Sequence, residues 1–160
     1  MKFSHKHNIP AQAKAAWEMT SDPDFVLASY KKANATHELI HSEERDGKTF
    51  NKIRVSFNDA LPSIASKFIG SSNLSYEQHE VVDHVNMRND WEIIVPKVHS
   101  KVKATGFFQI QAQGDQCVRI VEGDVSVSIA FIGGKIEQHI AKQLGKSQEE
   151  IAKLLCERLS

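Results

Sequence analysis

The sequence predicts an α+β fold in which seven antiparallel strands form one sheet and a long C-terminal helix covers one of its faces. Residues 133–160 carry apolar side chains at helical spacing, and these are Ile136, Ile140, Leu144, Ile151, Leu154 and Leu155. Most of the preceding chain alternates apolar and polar residues with a period of two, which is typical of strands with one buried face. Such a sheet needs a covering layer, and only the last helix is large enough to supply it.

The chain begins with a predicted strand over residues 2–9. Residues 10–19 follow as a short helix with Pro10 near its first turn. Asp22 is a candidate N-cap and Pro23 a first helical residue, so a second short helix is predicted to run through Tyr30.

The remaining six strands are predicted from alternation and turn residues. An Asp-Gly turn at 45–48 joins the second and third strands, and residues 61–70 form a short helix that interrupts the sheet. The six strands are predicted at 36–44, 49–58, 73–83, 86–95, 101–113 and 116–131. The apolar parity shifts at Glu122-Gly123-Asp124, which predicts a bulge.

The last helix contains one ambiguous point, at Gly145. Ser147 to Glu150 matches a capping box, so a second helix could begin there. The apolar stripe keeps its phase across Gly145, which favours one continuous helix.

Composition restricts the class of protein. The 160 residues contain no repeat or linker, so residues 1–160 are expected to form one domain, as a monomer or weak dimer. Twenty basic and twenty acidic residues cancel, which gives no global field that favours nucleic acid. The first residues lack the apolar segment of a signal peptide, so we expect a cytoplasmic protein in which Cys117 and Cys156 are reduced thiols.

No metal, cofactor or catalytic residue is predicted. His5 and His7 share one strand face, as do His37 and His41 if their strand is regular, but this spacing alone is a weak metal signal. Neither Cys-x-x-Cys nor His-Glu-x-x-His is present. Gly-x-Ser-x-Gly is also absent, and neither cysteine lies in a nucleophile motif.

The order of elements resembles the helix-grip fold of the START/Bet v 1-like (SRPBCC) superfamily. Three segments also resemble its bacterial DUF2505 family: Ile9-Pro10-Ala11 through Phe25, Leu61-Pro62-Ser63, and Phe131 through Glu137. The resemblance implies a seven-stranded curved sheet wrapped around the C-terminal helix, with two short helices after strand 1, a short helix between strands 3 and 4, and a cavity between sheet and helix. It carries over no catalytic residue. Members of the superfamily bind lipids and other hydrophobic ligands, and some are cyclases or dehydratases.

If the sheet curls around the helix, the alternating apolar residues face a cavity. The small residues Ala104, Gly106 and Ala112 would leave room in it. The alternative is that all of these residues form a packed core. The predicted lining consists of Ile53, Val55, Phe57, Trp91, Ile93, Val102, Ala104, Gly106, Phe108, Ile110, Val125, Val127, Ile129, Ile136, Ile140 and Leu144.

Polar residues of the same parity could orient a headgroup. Tyr76, Gln78 and Glu80 alternate in phase, and a buried Glu80 would need a partner such as Arg54 or Arg119. The alternative is a solvated strand face.

The helix at 61–70 is a candidate gate. Leu61, Ile64, Phe68 and Ile69 would expose an apolar edge if the helix lifted, and that edge could contact a membrane transiently with Lys67 at headgroup level. The alternative is a helix that is permanently docked.

Three functions follow from this interpretation. The first is binding, and possibly transfer, of a lipid or acyl-chain molecule in the cavity. The second is a polyketide cyclase or dehydratase that uses Tyr76, Glu80 or a histidine as general acid or base. The third is a co-chaperone-like protein-interaction domain, which predicts an exposed apolar patch instead of a deep pocket.

Overall fold

A computed structural model describes all 160 residues, which form seven strands and four helices. The strands are β1 (Lys2–Ile9), β2 (Ala35–Arg45), β3 (Lys48–Ala60), β4 (Asn73–Asp83), β5 (Arg88–Ile94), β6 (Val102–Gln113) and β7 (Gln116–Val127). The helices are α1 (Ala13–Thr20), α2 (Pro23–Lys32), α3 (Ser63–Ile69) and α4 (Gly133–Leu159).

The strands form a single antiparallel sheet in the order β1-β7-β6-β5-β4-β3-β2. This confirms the predicted α+β helix-grip architecture. The last strand ends at Val127, four residues before its predicted end. The chain turns there, because Gly133 N–H donates to the Ile129 carbonyl and Phe131 has a φ of 68°.

Local signals account for two element boundaries. The Asp22 side chain accepts hydrogen bonds from the backbone N–H groups of Asp24 (3.0 Å) and Phe25 (3.1 Å), so α2 begins as predicted. The β2–β3 turn has φ of 54° at Asp46 and 77° at Gly47. Positive φ at both central residues is what a type I′ hairpin requires.

The bulge predicted at Gly123 is wrong. The pairing of β6 with β7 continues through Gly123, which lies opposite Gly106, without a register shift. The apparent change of parity arises because Val118 and Ile120, on the other face of β7, are also apolar. The register shifts elsewhere in the sheet: at Ile40, between the Leu39 and His41 pairs of β2 with β3, and between the Ser56 and Ala60 pairs of β3 with β4.

Helix α4 is continuous through Gly145, as the phase of its apolar stripe predicts. It packs mainly on β7 and β1, and also contacts α1 and α2. The helix comes so close to β1 that a Cβ at Gly145 would lie 2.9 Å from His5 Nε2. The inner face of β2–β5 is therefore left for other elements to cover.

The buried side chains form two separate clusters. One joins α1, α2, the end of α4 and the β6–β7 hairpin through Ile9, Ala13, Ala16, Trp17, Phe25, Ile110, Cys117, Leu154 and Leu155. The other lies around the starts of β6 and α4 and contains Ile93, Val95, Val98, Val102, Ala104, Val125, Val127 and Ala141. Cys117 and Cys156 are free thiols.

Candidate ligand-binding cavity

A cavity of about 560 Å³ lies between α1, α2, α4 and the inner face of the sheet. Residues from both core clusters border it, and 15 of its 30 lining residues are hydrophobic. Ligand pockets typically enclose about 300–1,000 Å³ and have mainly apolar walls. The size and chemistry of this cavity therefore suit a small organic molecule.

The cavity is open along the edge strand β2. Leu39 on that strand lines it and is 57% exposed, and exposed Pro23 and Ser42 line the same side. A molecule could enter there without displacing α4.

Eight of the predicted lining residues lie in the cavity wall. Two of the eight, Tyr76 and Gln78, lie on β4, and Glu80 on the same strand lines the cavity too. This face of β4 is therefore an inner face and not a solvated one. The predicted residues in the wall, including Tyr76 and Gln78, are Ile53, Phe57, Tyr76, Gln78, Trp91, Ile93, Phe108 and Leu144.

The other predicted lining residues lie outside the wall. Val55 is fully buried at the position paired with His37 and Tyr76, and Ile110 belongs to the first core cluster. Ala112 is exposed. The second cluster, with the side chains packed against it, takes up Val102, Ala104, Val125, Val127, Ile129, Ile136 and Ile140.

Gly106 leaves no room for a ligand, because aromatic rings fill the space above it. The Trp91 ring covers Gly106 and the Phe3 ring covers Gly123. The two rings stack with their centroids 6.5 Å apart. Small residues on an inner face thus serve close packing here.

The predicted gate helix does not border the cavity. None of Leu61, Ile64, Phe68 and Ile69 lines it. Phe68 and Ile69 pack against the second core cluster, and Ile64 is 60% exposed. The cavity opens beside α2 and β2 instead.

Several wall residues were missed by sequence reasoning because they come from the short helices and from β2. Trp17, Phe25 and Tyr30 line the cavity from α1 and α2. The Tyr30 ring stacks on His37 at a centroid distance of 4.4 Å. Apolar residues at helical spacing in residues 10–32 could have indicated this layer.

Arg119 is the most unusual group in the wall. Its side chain is 2% exposed, and Nη2 donates a 2.6 Å hydrogen bond to Gln148 Oε1. Its Nε and Nη1 atoms are buried without a hydrogen-bond partner. Burial lowers the pKa of Arg119 to about 10, against the opposing charge of Glu149, so the guanidinium remains charged at neutral pH.

The opposite wall contains phenols and one carboxylate. Burial raises the pKa of Tyr76 to about 12, and burial with the nearby charge of Glu80 raises that of Tyr30. Both phenols are protonated at neutral pH, so each can donate a hydrogen bond to a ligand but is a poor general base. Glu80 accepts hydrogen bonds from Gln78 Nε2 (2.7 Å) and Asn51 Nδ2 (3.5 Å). Neither Arg54 nor Arg119 forms an ion pair with it, and Arg54 instead pairs with Glu38 at 3.7 Å.

The two histidine pairs differ. His5 Nδ1 and His7 Nε2 donate hydrogen bonds to Glu149 Oε1 at 3.1 and 2.9 Å. One atom of each of the three residues that could ligate a metal lies within 4.8 Å of the other two. This geometry could hold a metal ion, and the hydrogen bonds also give each of the three side chains a partner. The suggestion that His37 and His41 share a face is wrong, because the bulge at Ile40 turns them to opposite faces.

Replacing Glu149 with glutamine is expected to lower stability by less than about 1 kcal/mol at neutral pH, since Glu149 is half exposed. The hydrogen bond from His7, together with the hydrogen bond and charge of His5, lowers the pKa of Glu149 from its ordinary 4.5. Its stabilisation is therefore present above pH 4.5 and lost as the pH falls through the lowered value. Urea unfolding in EDTA should show a lower free energy of unfolding for Glu149→Gln than for the wild type at pH 6, and this difference should disappear in acid.

Glu157→Gln, which removes an exposed carboxylate without a partner, is the control. A deficit of equal size at both pH values would contradict this account.

None of the four helices combines the length and the hydropathy that a membrane-spanning helix needs.

Comparison with known proteins identifies both a family and a fold. Residues 4–159 match the family model described as protein of unknown function (DUF2505). No functionally curated protein shows significant sequence similarity to the chain.

Solved structures share the fold at low sequence identity. TTHA0849 from Thermus thermophilus has a TM-score of 0.69 at 15% identity, covering 99% of this chain and 97% of its own. Zhui aromatase/cyclase from Streptomyces sp. R1128 has a TM-score of 0.62 at 13% identity, and the match covers 99% of this chain and 90% of that enzyme. Norcoclaurine synthase from Thalictrum flavum, in complex with dopamine and hydroxybenzaldehyde, has a TM-score of 0.67 at 18% identity, and the match covers 100% of this chain and 88% of the synthase.

Proposed function

Because the chain belongs to the DUF2505 family and has the START/Bet v 1-like helix-grip fold, we propose that it binds a hydrophobic small molecule, such as an acyl-chain or lipid-like compound, in the cavity. The observation that carries this proposal is the unfilled space of about 560 Å³ between two packed core clusters. A protein interior is normally packed without voids of this size. Such a space is expected where a ligand completes the packing.

The binding energy would come mainly from removing apolar surface from water. Covering about 300 Å² of apolar area contributes roughly 7.5 kcal/mol before the costs of ordering the ligand, at about 25 cal/mol per Å². The rings of Trp17, Trp91 and Phe108 offer flat apolar surfaces for such contacts.

Two other observations favour small-molecule binding. Norcoclaurine synthase, which shares the fold, binds two aromatic compounds in its solved structure, so this architecture accommodates small organic ligands. The large exposed hydrophobic residues of this chain, in contrast, are spread over separate elements, which gives less support to a protein-docking patch.

Titration with decan-1-ol tests the proposal. Trp17 and Trp91 are the only tryptophans and both line the cavity, so their fluorescence reports on its contents. We expect a saturable change in emission with a stoichiometry of one, matched by calorimetry. If neither decan-1-ol nor its charged analogues decanoate and decyl phosphate cause a saturable change up to their solubility limits, the proposal fails.

A further inference from the structure

Arg119 places a positive charge without an ion-pair partner in a cavity wall of which half the residues are hydrophobic. It is the only lysine or arginine that lines the cavity. Of its three guanidinium nitrogens, only Nη2 has an acceptor. The guanidinium carbon lies 5.0 Å from the centroid of the Phe108 ring, which also lines the cavity. A buried charge is costly unless it is paired. The guanidinium of Arg119 is therefore expected to have an anionic partner when the site is occupied.

The protein itself does not supply that partner. No carboxylate oxygen lies within 4.0 Å of the Arg119 nitrogens. Glu149 acts on Arg119 only at longer range. Glu80 lies on β4, three strand spacings away, so the two backbones are about 14 Å apart across the sheet. Asn89, whose Oδ1 is also buried without a partner, cannot neutralise a charge.

We propose that the ligand of this cavity carries a carboxylate that pairs with Arg119, while its hydrophobic body lies along Phe108 and Trp91 toward the opening at β2. This inference rests on the proposed function and specifies the class of ligand. A carboxylate can accept hydrogen bonds from the two guanidinium nitrogens that lack an acceptor.

The charge balance favours a monoanion. One arginine is the only permanent cation in the wall, so a doubly charged phosphate monoester would remain half neutralised beside the buried Arg119. Glu80 on β4 lies nearer to the opening at β2 than Arg119 on β7 does. The charge of Glu80 would repel the carboxylate of the ligand, which orients that carboxylate toward Arg119 and the hydrocarbon toward the opening.

Binding of decanoate, decan-1-ol and decyl phosphate to the full chain tests this assignment by calorimetry. The three probes share a ten-carbon chain and differ in the head group. The wild type is expected to prefer decanoate. Replacing Arg119 with methionine should weaken decanoate binding roughly 10- to 100-fold and leave decan-1-ol binding within about twofold. Arg119→Lys, which keeps the charge but loses the planar fork, should recover part of the difference.

The controls separate a direct contact from loss of the fold. Arg54→Met removes an arginine from the outer face of β3 and should not change decanoate affinity. Arg119→Met should melt no lower than the wild type, because methionine removes a buried charge that has no counter-ion. The melting temperature thus shows whether a loss of affinity reflects unfolding.

The outcomes distinguish the two proposals. If the wild type binds none of the three probes, the proposed function fails. If it binds decan-1-ol and decanoate equally, and Arg119→Met leaves both unchanged or weakens both equally, the carboxylate assignment is overturned and the proposed function stands. Tighter binding of decyl phosphate than of decanoate would also overturn the assignment.

Discussion

Replacing Ser147 with tryptophan is expected to weaken binding of decan-1-ol and decanoate more than about 100-fold while the protein remains folded. Ser147 is a half-buried residue of α4 that lines the cavity, and its side chain forms no hydrogen bond. An indole at this position would project into the space that the ligand needs. Because the ring fills a void instead of displacing packed atoms, stability should be unchanged or higher.

The neighbouring residue provides a matched control. Lys146 is exposed on the same helix, so Lys146→Trp adds the same ring on the solvent side. This variant should bind both probes as the wild type does. Calorimetry measures the affinities and circular dichroism checks the fold. If Ser147→Trp folds normally and keeps wild-type affinity, the ligand binds somewhere other than this cavity.

Replacing Gly106 with alanine is expected to destabilise the protein by at least about 2 kcal/mol. A Cβ at this position would overlap with the carbonyl oxygen of Glu122 and with the Trp91 ring. The carbonyl belongs to the paired strand β7 and cannot move without disturbing the ladder. Thermal unfolding should show a decrease in Tm of roughly 4–8 °C for a domain of this size.

Gly134→Ala is the control for the Gly106 substitution, since it adds the same methyl group. A Cβ at Gly134 would meet no atom within 4 Å, and the residue lies in the first turn of α4. Alanine there should leave stability unchanged or raise it, because glycine is the weaker helix former. Equal effects of the two substitutions would show that the close packing at Gly106 is not as described.

The architecture could be predicted from the sequence because its signals are local. Period-two alternation, the Asp22-Pro23 helix start and the uninterrupted apolar stripe of the last helix each depend on residues close in sequence. Where two signals conflicted, at Gly145, the longer-range periodicity gave the correct result. At Gly123, outward apolar residues of β7 imitated a shift of register, and the pairing with β6 corrects that prediction.

The position of the cavity could not be predicted in the same way. Alternation identifies which residues face inward, but it does not distinguish an inner residue covered by α4 from one left uncovered. Val125 belongs to the second core cluster and Ile136 packs against it, whereas Ile53 and Phe57 face the void, although all four follow the predicted parity. The difference arises because α4 packs along β7 and β1 and leaves part of the remaining inner face uncovered.

Arg119 was within reach of sequence reasoning. It shares a strand face with Cys117 and Val121, so its alternation already placed a cation among apolar residues. The mistaken bulge at Gly123 made this face uncertain. What no sequence pattern shows is that two nitrogens of the guanidinium lack a partner, because that depends on every element packed around it.

Methyl NMR of the isoleucine-labelled protein with bound decan-1-ol tests the central claim most directly. Ile53, Ile93 and Ile151 line the cavity, and Ile93 belongs to the second core cluster as well. Ile129, Ile136 and Ile140 pack against that cluster and do not line the cavity. We predict ligand contacts and saturable shifts at the first three methyl groups and little change at the other three. Shifts confined to Ile129, Ile136 and Ile140, or none at saturating alcohol, would contradict a ligand site in this cavity.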